Sequence, residues 1–288
     1  MAKFILSAFA DEADQSLEQQ IAALQEEKIT LIELRGVDGK SCADLTLEEA
    51  DSIRRKLDRG GISLSALGSP YGKYPIEAPF SDHFEQFRHG LALCRRLGCQ
   101  RMRMFSFFVP AETDSAQWAD EVFDRLERML DEADHAGIQL VHENEKGIFG
   151  HNIDNCVSLL TRFHDRMGFI FDPANFVQCG VDTRRAYAEL HDKITYMHIK
   201  DALEKDGAVV SAGRGDGHVA EILRKLDQER EGEIILTVEP HLAVFSGLYH
   251  LQEEKIKHHE VYGSQREAFH AACEATRRIL TQIRGEQI

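Results

Sequence analysis

Eight times along this chain a short β-branched or aromatic run gives way to a helical apolar period, and no other feature of the sequence restricts the fold as much. The runs are Phe4–Phe9, Thr30–Leu34, Ile62–Leu67, Arg101–Phe107, Ile138–Asn144, Gly168–Asp172, Ile194–His198 and Ile234–Glu239. A helix between consecutive strands carries the chain back to the start of the next strand, so the sheet must be parallel. Eight such units favour closure over an open sheet, and no G-x-G-x-x-G follows the first run to support a dinucleotide fold. The expected fold is α/β, a single (β/α)₈ TIM barrel over residues 1–288.

Helix signals lie between the runs. One helix is expected over Asp11–Glu27, and the next opens at a Thr46–Glu49 capping box and stops at Gly60-Gly61. Ser81 is read as the cap of a third helix that Gly98 closes. Others are expected over Asp114–His135, Asn152–Asp165, Arg184–His191 and His218–Arg230, with a last one from Ser264–Glu267 to Arg284. Two connections are long or irregular: Gly68–Pro79, which carries Lys73, and Pro240–Gly263, which has the length of a functional lid.

Charge removes some function classes. The 49 acidic and 34 basic residues leave a net charge of −15, which repels nucleic acid and anionic lipid. The six cysteines are scattered without a C-x-x-C pair, as expected of reduced thiols in a cytoplasmic protein. No apolar run approaches the ~18 residues of a membrane span. A homo-oligomer is compatible with such a barrel.

The last four runs end alike. Glu143, Asp172, His198 and Glu239 each follow an apolar run directly, so in a parallel barrel all four emerge at the C-terminal rim, where barrel enzymes carry their chemistry. One such residue would be read as a helix cap; four in consecutive units are hard to explain that way. Three carboxylates and an imidazole suit a divalent ion of middling hardness, Mn²⁺ first, then Mg²⁺, Co²⁺ or Zn²⁺. Such an ion polarises the carbonyl of a hydroxy-ketone and stabilises an enediolate, while two glutamates on opposite sides of the carbon serve as base and acid.

The segments His142-Glu143-Asn144-Glu145, Phe171-Asp172-Pro173-Ala174-Asn175, His198-Ile199-Lys200-Asp201 and Val238-Glu239-Pro240 occur in that order, with a glycine turn Gly213-Arg214-Gly215-Asp216. Together they resemble the sugar phosphate isomerase/epimerase-like, or xylose isomerase-like, barrels, over nearly the whole chain. The resemblance implies that Glu143, Asp172, His198 and Glu239 bind the ion and that Glu143 and Glu239 also exchange the substrate proton. Two departures stand out: Arg214 where the family's turn often carries Glu, and Asn175 where its ketose 3-epimerases carry histidine.

Further candidates for substrate contact are Lys200, on the strand side of His198, Arg214, Arg35 at the second rim, Asn175, and Lys73 reaching from its loop. Glu145 is expected to hydrogen-bond near the ligands, and His142, facing the other way, to be structural. His250, His258 and His259 read as surface residues. The expected activity is a metal-dependent keto-sugar isomerase or epimerase acting on a small sugar or cyclitol. The alternative is a lyase or dehydratase acting on an inosose or keto-sugar by β-elimination, since the family includes inosose dehydratases. A three-zinc phosphodiesterase would need histidines where this chain has Arg35 and Ser69, and a less acidic surface. A non-catalytic binding barrel would have no use for both glutamates.

Overall fold

The computed structural model describes residues 1–163, 165–244 and 257–285. Eight parallel strands close into a barrel in chain order: β1 (Ala2–Ala8), β2 (Leu31–Leu34), β3 (Ser63–Leu67), β4 (Arg101–Met104), β5 (Gln139–Glu143), β6 (Met167–Phe171), β7 (Ile194–Ile199) and β8 (Gly232–Val238). The closing seam is fully zipped, β1 pairing β8 from Ala2↔Gly232 to Ala8↔Val238. Around the strands lie α1 (Leu17–Glu26), α2 (Leu47–Gly60), α3 (Phe80–Leu97), α4 (Ala119–Ala136), α5 (Ile153–Arg162), α6 (Pro173–Gln178), α7 (Thr183–Leu190), α8 (Val219–Glu229) and α9 (Gln265–Gly285). The barrel expected from the alternation is the barrel found.

The largest apolar cluster fills the layer between strands and helices. A second, small one lies inside the barrel: Ala66, Val141, Ile170 and Tyr196, with Ile235 against them. Side chains on a strand share a face every second residue. Two residues beyond Val141, Ile170 and Tyr196 come Glu143, Asp172 and His198, and four beyond Ile235 comes Glu239. The apolar plug is therefore the floor on which the candidate ligands stand.

Several boundaries differ from those expected, each for a physical reason. The first helix starts at Leu17, not Asp11; residues Ala10–Glu12 form a buried 3₁₀ turn instead, because Arg35 takes the carboxylates of Asp11 and Glu12. β4 ends at Met104 rather than Phe107, because Phe105 and Phe107 donate their N–H groups to Tyr71 and Gly72 of the preceding loop. α4 begins at Ala119 after a 3₁₀ turn, Ser115–Trp118, capped by Asp114. Ser81 is not a cap: α3 starts one residue earlier, at Phe80, behind Pro79. The Thr46–Glu49 capping box forms with both of its bonds. Of the Pro240–Gly263 connection, residues 245–256, including His250, lie outside the described residues.

Candidate metal centre

One donor atom from each of Glu143, Asp172, His198 and Glu239 lies within 4.8 Å of the other three, and all four residues are buried. Strand ends β5 to β8 bring them there. Glu143 closes β5, Asp172 follows β6 and caps α6 through Asn175 N–H, His198 is the fifth residue of β7, and Glu239 follows β8. His198 Nδ1 is 3.1 Å from Glu143 Oε1 and 3.2 Å from Glu239 Oε2. Three carboxylates and an imidazole nitrogen so gathered match the donor set of a divalent ion. Asp172 Oδ2 is buried and accepts no hydrogen bond; the Lys200 ammonium stands 2.8 Å from it as an ion pair only. A buried acceptor left in that state favours an added cation.

The candidate ligands are also held from behind. Arg103 Nη1 donates to Glu143 Oε2 at 3.1 Å, and Asn175 Nδ2 donates to Glu143 Oε1 at 3.2 Å. The Asn144 side chain accepts from Asp172 N–H and donates to Asp172 O, both at 2.9 Å, which locks β5 to β6 at the rim. Lys200 Nζ reaches Glu239 Oε2 at 3.2 Å. Arg35 Nη1 donates to Glu239 Oε1 at 2.9 Å while its Nε and Nη2 bind Asp11 and Glu12. Glu12, Glu239 and His241 form a second acidic-imidazole triplet, but the Arg35 guanidinium already lies among them, 3.0 Å from Glu12 and 3.3 Å from His241.

The electrostatics follow from this packing. Burial works to raise Glu143, but His198 and Arg103 overcome it and hold the carboxyl down at about 2. Glu239 likewise ends well below the usual range, burial being outweighed by Lys200 and His198. Asp172 goes the other way: burial pushes it up to about 7 against the pull of Lys200. Asp172, 2.8 Å away, and Glu239 hold Lys200 above the ordinary lysine range in spite of its burial. Burial and the neighbouring cations of Lys200 and Arg35 hold His241 down, near 3, despite the pull of Glu239.

The structure thus gathers Glu143, Asp172, His198, Glu239, Lys200, Arg35 and Asn175 in one place. Arg35 pairs with Asp11, Glu12 and Glu239 rather than with its strand neighbour Glu33. Lys73 is largely buried, 2.7 Å from Glu145 and 4.5 Å above the Phe105 ring, whose other neighbour is Arg103. Arg214 lies elsewhere, its side chain 71% exposed and paired with Glu260 at 2.6 Å. His142 is buried against Ser106, as its outward position implies. His258 is half-buried, meeting the carbonyl of His241, and His259 is exposed beside Asp206. Residues the sequence reading passed over are Arg103, Glu33, Asp11, Glu12 and His241, all buried at or beneath the rim. For Glu33 a signal existed, a lone charge inside an apolar run.

The profile of the family described as xylose isomerase-like TIM barrel matches residues 21–258. No curated protein matches the chain. Among solved structures, an L-ribulose 3-epimerase is 16% identical with a TM-score of 0.74, covering 100% of this chain and 97% of its own. The IolI protein with a bound zinc atom is 14% identical with a TM-score of 0.73, covering 97% and 99%. The probable 3-DHS dehydratase AsbF of Bacillus anthracis is 13% identical with a TM-score of 0.71, covering 96% and 99%. Likeness at such identities is likeness of fold.

Proposed function

The chain belongs to the xylose isomerase-like TIM barrel family, and on that premise we propose that it is a divalent-metal-dependent isomerase or epimerase of a small keto-sugar. The observation that carries this reading is the position of Glu143 and Glu239. They approach His198 Nδ1 from β5 and from the end of β8, at 3.1 and 3.2 Å, so a carbon bound between them is flanked by two carboxylates. Glu143, Asp172, His198 and Glu239 would hold the ion. When bound, a divalent ion supplies the Lewis acidity that polarises a substrate carbonyl and makes the neighbouring C–H acidic.

The remaining work falls to the chain's own groups. Glu143 and Glu239 are held ionised by His198, Arg103 and Lys200, so either one can take the proton from carbon at neutral pH and pass it to solvent, while its counterpart takes a proton from solvent and delivers it to the opposite face. Asn175 Oδ1 is buried without a partner and is an acceptor for a substrate hydroxyl. Lys200 and Arg35, which already bridge the carboxylates, orient substrate oxygens, with Lys73 further out; the exposed Arg214, paired with Glu260, takes no part. The preferred ion is Mn²⁺. All six cysteines are free, which supports a reducing, cytoplasmic setting. No helix among the described residues is long and apolar enough to cross a membrane.

A dehydratase reading shares the same proton abstraction. It is favoured by one departure, Asn175 in place of a histidine, together with the AsbF likeness. Incubation of metal-loaded protein with keto-sugars and inososes in D₂O separates the two. Deuterium entering carbon without loss of water supports epimerisation, and loss of water supports elimination. Chelation is expected to abolish turnover and Mn²⁺ to restore it; full activity in excess chelator sinks both readings.

A further inference from the structure

Beneath the candidate ligands lies a carboxylate that no step of the proposed reaction uses. Glu33, third residue of β2, is 1% exposed inside the barrel. It is a lone charge in the run Leu31-Ile32-Glu33-Leu34, and the β2–β3 register shifts between Ile32 and Glu33. A carboxylate so buried is stable only with its lone pairs filled. Three side chains fill them. Tyr196 Oη donates to Oε1 at 3.0 Å, Thr237 Oγ1 donates to Oε2 at 3.0 Å, and His198 Nε2 lies 3.2 Å from the same Oε2.

A carboxylate oxygen can only accept, so the third contact is a hydrogen bond only if His198 carries its hydrogen on Nε2. The other ring nitrogen, Nδ1, then faces Glu143 Oε1 and Glu239 Oε2 in the candidate centre. The ring of Phe9, edge-on at 5.2 Å, packs beside the imidazole. The ring is thus gripped at its far nitrogen by the floor of the barrel, with its near nitrogen turned to the ion's place. A carboxylate behind a ligating histidine fixes the ring and strengthens it as a donor.

We propose that Glu33 is a positioning residue for His198, holding Nε2–H from below so that Nδ1 is presented to the divalent ion, and thereby raising metal affinity. This rests on the metal-centre reading above. Two experiments test it with zinc as the probe. In histidine-¹⁵N-labelled wild type saturated with zinc, long-range ¹H–¹⁵N spectra are expected to show His198 with hydrogen on Nε2 and zinc on Nδ1, the resonances being assigned by their loss in His198→Asn. Hydrogen on Nδ1 with zinc on Nε2 overturns the proposal, and this needs no altered Glu33. In a competition titration against a chromophoric chelator, Glu33→Gln is expected to bind zinc about 10- to 100-fold more weakly than wild type. Thr237→Val, which leaves the carboxylate in place, is expected to lose less. A folded Glu33→Gln with wild-type zinc affinity overturns the proposal, since a merely structural Glu33 would change the melting temperature alone. A wild type that binds no zinc at all fails the metal-centre reading itself.

Discussion

At the residue scale the site is a balance of buried charges, and the balance predicts which substitutions are costly. In the proposed reaction Glu143 and Glu239 are both ligands and proton carriers, so each Gln substitution would remove a base. General bases contribute about 10²- to 10⁴-fold, and a loss of that size is expected in the rate of deuterium wash-in to substrate. A Glu143→Gln enzyme exchanging at the wild-type rate would end the proposed roles. Arg35 makes a different case, since its guanidinium joins Asp11, Glu12 and Glu239 in a space 5% exposed. Glu12, which burial lifts to about 8 even with Arg35 pulling it down, shows how much that guanidinium offsets. Arg35→Met strands three carboxylates and is expected to cost about 3–5 kcal/mol of stability in urea unfolding. Arg35→Lys is expected to recover little, because an ammonium cannot span them in a fork. What the sequence showed here was uneven. The four candidate ligands were legible as a group because each ends an apolar run, whereas Asp11 and Glu12 looked like the first turn of a helix. Their partner sits 24 residues away from Asp11, and contacts of that kind leave no local pattern.

At the element scale, the strands and helices were readable from periodicity and the loops were not. The Gly68–Pro79 connection shows why. Its order comes from tertiary bonds: Phe105 N–H to Tyr71 O, Phe107 N–H to Gly72 O, and Gly72 N–H to His83 Nε2 on α3. Gly72 has φ +90, and a Cβ there would come within 2.0 Å of the Phe105 carbonyl oxygen, so Gly72→Ala must displace the loop that carries Lys73. His83 can accept from Gly72 only while its Nε2 is bare, and burial together with Arg125 lowers it from 6.5 to about 4. Between these values the unfolded chain binds a proton that the folded chain refuses. Stability from this residue is therefore present above about pH 6.5 and lost as pH falls towards 4. The loss between pH 7 and pH 5 is expected to be about 2 kcal/mol. His83→Gln keeps an acceptor without a titration, so urea unfolding at the two pH values should show a smaller difference than wild type. Equal differences in the two proteins would mean that His83 is not held neutral by the fold.

For the whole molecule, the barrel divides its labour along the chain. The arginines that steady the site, Arg35 and Arg103, come from the first four strand units, and the four candidate ligands come from the last four, ending beside the β1–β8 seam. An ion seated there would tie β5, β6, β7 and β8 together and bind only the folded chain, so metal and stability are linked by mass action. At a free ion concentration a hundred times Kd the gain is about 2.7 kcal/mol. A chain of this size should then melt roughly 5 °C higher. With a net charge of −15, surface carboxylates could collect ions loosely and raise the melting temperature for an unrelated reason. Asp172→Asn separates the two causes. It leaves the surface unchanged and removes a donor that is 0% exposed, so the metal-dependent part of the shift should vanish if the centre is the source. An Asp172→Asn protein that gains as many degrees from Mn²⁺ as wild type would place the ions on the outside of the barrel and leave its mouth without one.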